Sequence, residues 1–219
     1  MILNGDKVKL KVNLVSSSFF IFLIISSHVI SQDYDKVNIY LGGCIIISGR
    51  PQDFRANFPF GSGSKAGIGY SFTPNLSVQF SVEYFVFHLN DSFFNSRKEM
   101  DEDLSGGEAS FRIFQGNMKY IFINNPTSAK PYIIAGLGFS NTFLPDIVHT
   151  YLNRSESSYS TFISPGYQAN DFTASLGVGV DIPIIESISV YFELTYHVVY
   201  TMDFNDSFVP IKGGISIGF

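Results

Sequence analysis

Four charged residues, Glu83, Lys119, Glu193 and Lys212, stand inside segments otherwise built of alternating apolar and small polar side chains. Two carboxylates and two ammonium groups could pair with one another or line a path for ions, and the choice depends on where the backbone puts them. The four histidines offer less. His28 precedes the patterned region, His149 falls in a connecting stretch, and His88 and His197 lie near the ends of two separate segments. A metal site needs three or four converging ligands, and the sequence places no further donors beside these, so no metal and no cofactor is expected. No His-Glu-x-x-His stretch occurs, and spacing identifies no catalytic histidine with a serine or aspartate. The chain is therefore read as not an enzyme.

Asp101, Glu102 and Asp103 follow Arg97, Lys98 and Glu99 in a dense run of mixed charge. Carboxylates there could attract calcium or cations that bridge lipid headgroups, but the spacing of a calcium loop is missing. A solvated loop tip is expected. Cys44 is the single cysteine, which excludes an intramolecular disulfide. The formal net charge of −5 and the lack of a Lys/Arg-rich run leave no basic surface for phosphates, so no nucleic acid partner is expected.

The elements that carry these residues read as strands. Leu76, Val78, Phe80, Val82, Tyr84 and Val86 alternate with Ser77, Gln79, Ser81 and Glu83. The same period of two runs through Phe172 to Asp181 and through Ser189 to Val198. Aromatics make up 16% of the 219 residues, with 23 Phe, 12 Tyr and no Trp, beside 19 Gly; that mixture suits strands and turns. Eight strands are predicted, at about 37–47, 64–73, 76–89, 109–123, 131–143, 170–182, 187–200 and 210–219. The connections alternate between long (48–63, 90–108, 144–169, 201–209) and short (74–75, 124–130, 183–186). Short turns on one side and long polar loops on the other are the layout of an outer-membrane barrel. Closure satisfies every backbone N–H and C=O that lipid could not. The predicted fold is all-β, an eight-stranded antiparallel up-and-down transmembrane β-barrel; a soluble barrel or sandwich would alternate too, but without the loop asymmetry.

Ahead of the strands, Lys7, Lys9 and Lys11 precede the apolar stretch Leu14 to Ile25, and Val29 and Ser31 suit positions −3 and −1 of a cleavage before Gln32. Residues 1–31 are read as a signal peptide and 32–219 as the barrel domain. An uncleaved anchor is the other reading, but the apolar stretch is shorter than the ~20 residues of a spanning helix.

The last residues, Gly213-Gly214-Ile215-Ser216-Ile217-Gly218-Phe219, put Ile215, Ile217 and Phe219 at alternate positions. This ending resembles the C-terminal signal that barrel assembly machinery recognises in bacterial outer-membrane proteins. With Lys130-Pro131-Tyr132-Ile133-Ile134-Ala135-Gly136-Leu137-Gly138 and Gly177-Val178-Gly179-Val180-Asp181-Ile182-Pro183, the chain resembles the small outer membrane protein β-barrel domains. These are related in architecture to the OmpA transmembrane domain and the opacity-type proteins. The resemblance implies location in the cell outer membrane, outer-membrane lipid and the barrel assembly machinery as partners, and a surface or envelope protein as a further partner. The chain stops at its last strand, so no peptidoglycan-binding domain is expected.

Within such a barrel Glu83, Lys119, Glu193 and Lys212 share the parity of the lumen, where an unpaired charge is costly. Glu83 is expected to face Lys119, and Glu193 to face Lys212. The other strand face is rich in Gly, Ser, Thr and Gln, which fits a narrow interior with bulky Phe, Val and Leu turned to lipid. Phe54, Phe58 and Phe60 in the first long connection, and Tyr151, Tyr159, Phe162 and Tyr167 in the third, are read as an outer aromatic girdle or as loops packed on each other; a recognition surface is the other reading. The function expected is a structural and interaction protein presenting surface loops on a side-chain-filled barrel. The alternative is a narrow, porin-like channel or a component of an envelope transport or secretion machine.

Overall fold

The computed structural model describes residues 36–89, 102–123, 128–153, 158–201 and 205–219, so the signal-peptide reading of residues 1–31 lies outside the described residues. The elements run β1 (Val37–Arg50), α1 (Gln52–Asn57), β2 (Phe60–Ser71), β3 (Leu76–Phe87), β4 (Glu102–Gly106), β5 (Ala109–Ile121), β6 (Lys130–Leu144), β7 (Ile147–Asn153), β8 (Ser158–Ser164), β9 (Tyr167–Ile185), β10 (Ile188–Tyr200) and β11 (Asn205–Gly218). Eight of the strands close into a barrel in the order β1-β11-β10-β9-β6-β5-β3-β2, every neighbouring pair antiparallel. The seam joins the first and last strands of the barrel: Phe219 donates its N–H to the Val37 carbonyl at 2.8 Å.

The eight predicted strands are these eight; β1, β2, β6, β9 and β11 run further at their outer ends than predicted, and β3 stops at Phe87, short of the predicted 89. β2 begins at Phe60, because Gly61 and Ser62 pair with Phe87 and Val86 although their small side chains read as loop. β11 begins at Asn205 and runs through Pro210, which sits opposite Ile46; proline suggests a strand start because it cannot donate to the ladder. The stretch 144–169, expected to be a long connection, carries β7 and β8, and β4 pairs with β7 to make a second, three-stranded sheet.

Period two sorts the side chains as lipid requires. Ile39, Leu41, Ile45, Ile68, Val78, Phe80, Phe114, Leu137, Phe139, Leu176, Phe192 and Ile211 are exposed on the outward face. Tyr70, Phe72, Tyr120 and Phe122 gather at the short-turn end, where the Tyr70 and Phe72 rings lie 5.2 Å apart and those of Tyr120 and Phe122 5.6 Å apart. That is the position of an interfacial aromatic girdle.

The inward face has two zones. Toward the short turns it is polar, and β3 offers Ser77, Gln79, Ser81 and Glu83. Toward the long connections it is aromatic: Ile46, Phe85, Phe87, Ala109, Phe111, Ile113, Val199 and Phe208 are buried together. This corrects the expectation that the bulky residues all face lipid. The reason is α1, which turns the first long connection down into the mouth and buries Phe54 and Phe58 in the same cluster. The Phe54 ring meets Phe58 at 5.4 Å, Phe87 at 5.3 Å and Phe111 at 5.8 Å. Burial of each such ring is worth about 1.5–3 kcal/mol, so the plug stabilises the mouth from within.

Rings and long side chains fit a narrow lumen because the facing positions are glycine. β2 turns Gly61, Gly63, Gly67 and Gly69 inward around Lys65. A Cβ at Gly69 would stand 3.0 Å from Tyr40 Cε2, and one at Gly42 would collide with the Tyr191 hydroxyl and lie 2.7 Å from the Gly213 carbonyl. Gly116, in contrast, faces outward, and a methyl group there would meet nothing within 4 Å. Urea titration of the vesicle-inserted barrel is expected to show Gly42→Val less stable by about 1–3 kcal/mol through overpacking, and Gly116→Ala within about 0.5 kcal/mol of wild type.

Candidate functional site

The charged residues converge in the polar zone of the lumen. β2 and β3 set Lys65 directly opposite Glu83, and β10 and β11 set Glu193 directly opposite Lys212. Their side chains then reach across the interior. Lys212 Nζ donates to both Glu83 oxygens at 2.8 and 2.9 Å and lies 3.3 Å from Glu193 Oε1. Lys65 Nζ donates to both Glu193 oxygens at 3.1 and 3.2 Å and stands 3.8 Å from Glu83. Gln115 Nε2 donates to Glu83 at 3.4 Å, and the Tyr132 hydroxyl donates to Glu193 at 3.3 Å.

Glu193 and Lys212 thus sit together, whereas Glu83 and Lys119 do not. Lys119 pairs with Asp181 on β9, its ammonium 3.9 Å from the centre of the Tyr132 ring and 5.5 Å from that of Tyr40. The register explains the difference: Lys119 is opposite Ser77 and Glu83 is opposite Ile113, six residues away along β5, or about 20 Å. Counting positions from the nearest turn treats the strands as level, which the stagger of a closed barrel does not allow. Sequence reasoning misses Lys65 and Asp181 as members of the network, although both carry lumen parity in strands that alternation identifies.

The result is balanced. Lys65, Lys119 and Lys212 meet Glu83, Asp181 and Glu193, and all six are buried. His197 joins this network to the plug. Its Nε2 lies 3.3 Å from Lys212 Nζ, placed to accept, and 3.2 Å from Thr195 Oγ1, while its ring stacks on Phe208 at 5.4 Å and 8°. Ser175 donates to Gln115 at 3.3 Å and Asn117 to Ser81 at 3.0 Å, which extends the bonded lining along the walls.

Other sequence-marked residues lie apart. His88 meets Glu108 at 2.8 Å in an exposed pair, whereas His197 is buried, and the His149 side chain lies outside the described residues. Among the described residues no three of His, Cys, Asp and Glu group as metal ligands. Phe60 stays exposed although Phe54 and Phe58 are buried; Phe162 and Tyr167 are exposed, and the side chains of Tyr151 and Tyr159 lie outside the described residues. Of the acidic run, Asp101 lies outside the described residues, while Glu102 and Asp103 open β4. Gly214-Ile215-Ser216-Ile217-Gly218 has the spacing Gly-x-Ser-x-Gly, but it lies within β11 with Ser216 buried in the lumen. The sharp strand-to-helix turn that exposes a nucleophile is not there. Ile215 and Phe219 are exposed on the outward face beside the seam.

A family model described as the outer membrane protein beta-barrel domain matches residues 17–218. The chain belongs to that family. It is accordingly a protein of the cell outer membrane, and the exposed apolar band is its lipid-facing surface. Neisserial surface protein A has a similar fold, with a TM-score of 0.53 at 11% identity over 86% of this chain and 100% of that one. The attachment invasion locus protein Ail of Yersinia pestis (TM-score 0.48, 9% identity, 84% of this chain and 100% of that one) also aligns. So does the N-terminal β-barrel domain of Pseudomonas aeruginosa OprF (0.43, 16%, 85% and 100%). No curated protein matches the chain.

The six paired charges can do one thing well in such a barrel: hold its walls together across the interior. Removing one partner leaves its mate buried and unpaired, at a cost of about 3–5 kcal/mol, whereas replacing both partners with apolar residues is often neutral. Lys119→Met is expected to destabilise the barrel by about that much, and the double variant Lys119→Met with Asp181→Leu to recover most of the loss. Urea midpoints for the two variants and wild type check both.

Proposed function

We propose that this protein is a structural and interaction barrel that presents surface loops above a closed lumen, and that it neither conducts nor catalyses. The observation that carries the reading is the filled interior. Three cations and three anions cross-link the walls of the turn-side half, and the aromatic cluster with Phe54 of α1 and Phe58 just after it fills the loop-side half. Eight strands leave an interior just wide enough for side chains, so this filling leaves no wide aqueous path. The connections at the other end are built up: α1 packs into the mouth, and β4, β7 and β8 form a second sheet whose Ile147 joins the same cluster.

The partners follow from the same layout. Outer-membrane lipid covers the apolar band, the barrel assembly machinery reads Ile215, Ile217 and Phe219 beside the seam, and a surface or envelope protein meets the loop sheet. Residues 1–31 serve as the export signal for the barrel domain of residues 32–219. A narrow channel or a component of an envelope transport machine would need the network and the plug to move aside. Purified protein reconstituted into planar bilayers is expected to give no stepwise conductance at either polarity; discrete, reproducible steps from the folded form would establish the channel reading instead.

A further inference from the structure

The outward face carries one feature that an apolar band does not need. Arg112 on β5 is exposed on that face, and the registers place it in a single row across five strands: Ser64, Tyr84, Arg112, Asn141 and Asn170 are successive partners on β2, β3, β5, β6 and β9. The guanidinium lies 5.9 Å from the centre of the Tyr84 ring, and Asn141 Nδ2 donates to Asn170 Oδ1 at 2.9 Å. The next outward row toward the loops is Ser62, Val86, Ser110, Phe143 and Gln168. The row on the turn side is Ala66, Val82, Phe114, Phe139 and Phe172, where lipid contact resumes.

The height of Arg112 decides what covers it. Tyr120, in the girdle at the turn end, is eight residues from Arg112 on the same strand. Eight residues span about 27 Å along a strand, or about 20 Å along the membrane normal at a tilt of 35–45°. That puts Arg112 within about 5 Å of the far edge of an apolar band about 25 Å tall, a gap its long side chain can span. It therefore meets headgroups rather than acyl chains. A planar cation with paired N–H donors suits a phosphate, and the amides and hydroxyls beside it suit the hydroxyls of a sugar.

We propose that Arg112, with Tyr84, Asn141 and Asn170, forms an outward-facing site for the phosphorylated sugar headgroup of an outer-leaflet glycolipid. The proposal rests on the reading that the long connections face the cell exterior, since only then does the row stand in the outer leaflet. Arg112 supplies the charge that binds the phosphate, the Tyr84 ring holds the guanidinium against the wall, and the two asparagines contact the sugar.

Native mass spectrometry of the folded barrel in detergent tests this, with bis-phosphorylated lipid A, dephosphorylated lipid A and phosphatidylglycerol as probes. Wild type is expected to retain bis-phosphorylated lipid A in preference to the other two. Arg112→Gln should weaken that retention about tenfold, the loss of one charge-assisted contact. Arg55→Gln, which removes an exposed cation from α1 at the mouth, should bind as wild type does. Each variant is first shown to migrate as a folded barrel without boiling. Equal retention by Arg112→Gln and wild type, or equal loss in Arg55→Gln, would overturn the site. Equal retention of phosphatidylglycerol and lipid A would overturn the glycolipid assignment, and labelling of loop residues on intact cells separately tests the orientation on which it rests.

Discussion

A charge inside an eight-stranded barrel cannot retreat to water, because the interior is only as wide as its side chains. It must find a partner across the lumen or give up its charge. This constraint organises the turn-side half of the molecule. Glu83, Asp181 and Glu193 are matched one for one by Lys65, Lys119 and Lys212, and the pairs run between strands that are not neighbours in the wall. Lys65 on β2 reaches Glu193 on β10, and Lys212 on β11 reaches Glu83 on β3. Backbone ladders hold adjacent strands together around the circumference, while these bridges tie the wall across its diameter. The inward glycines of β2 belong to the same constraint, since only their missing side chains leave room for lysine stems and tyrosine rings.

The loop-side half solves the filling problem differently. There the inward positions are Phe85, Phe87, Phe111 and Phe208, and α1 completes the cluster with Phe54 and Phe58. The two halves meet at His197, whose ring stacks on Phe208 while its Nε2 faces Lys212. A mouth packed like a soluble core gives the connections above it a fixed base. The outward face answers to a third medium, lipid, with an apolar band bounded at the short-turn end by Tyr70, Phe72, Tyr120 and Phe122.

Alternation makes the eight strands and their closure legible in the sequence, because lipid on one side and a crowded lumen on the other enforce a period of two for ten residues at a time. It also marks Glu83, Lys119, Glu193 and Lys212 as lumen residues. It does not reveal their pairing, which depends on stagger: Lys119 stands opposite Ser77, not level with Glu83. Lys65 escapes notice because it lies next to the predicted start of its strand at 64, among glycines whose missing side chains give no apolar alternation to mark its face. The plug is illegible for a different reason. Near the mouth both faces of β3 are apolar, since Tyr84 and Val86 occupy one and Phe85 and Phe87 the other, and the period of two no longer says which set faces lipid. Only the fold of α1 into the mouth does.

A lumen filled from both ends should be sealed, and the chain carries its own probe of that. Cys44, the single cysteine, faces the lumen opposite Lys212 and packs against the aromatic cluster. The measurement is its labelling by a membrane-impermeant maleimide in folded, vesicle-inserted protein, against the same protein unfolded by boiling in detergent. A sealed lumen predicts that folded Cys44 remains unlabelled over the time in which the unfolded chain reacts completely. Labelling of the folded barrel at the rate of the unfolded chain would show an open aqueous path to the middle of the lumen and contradict the account.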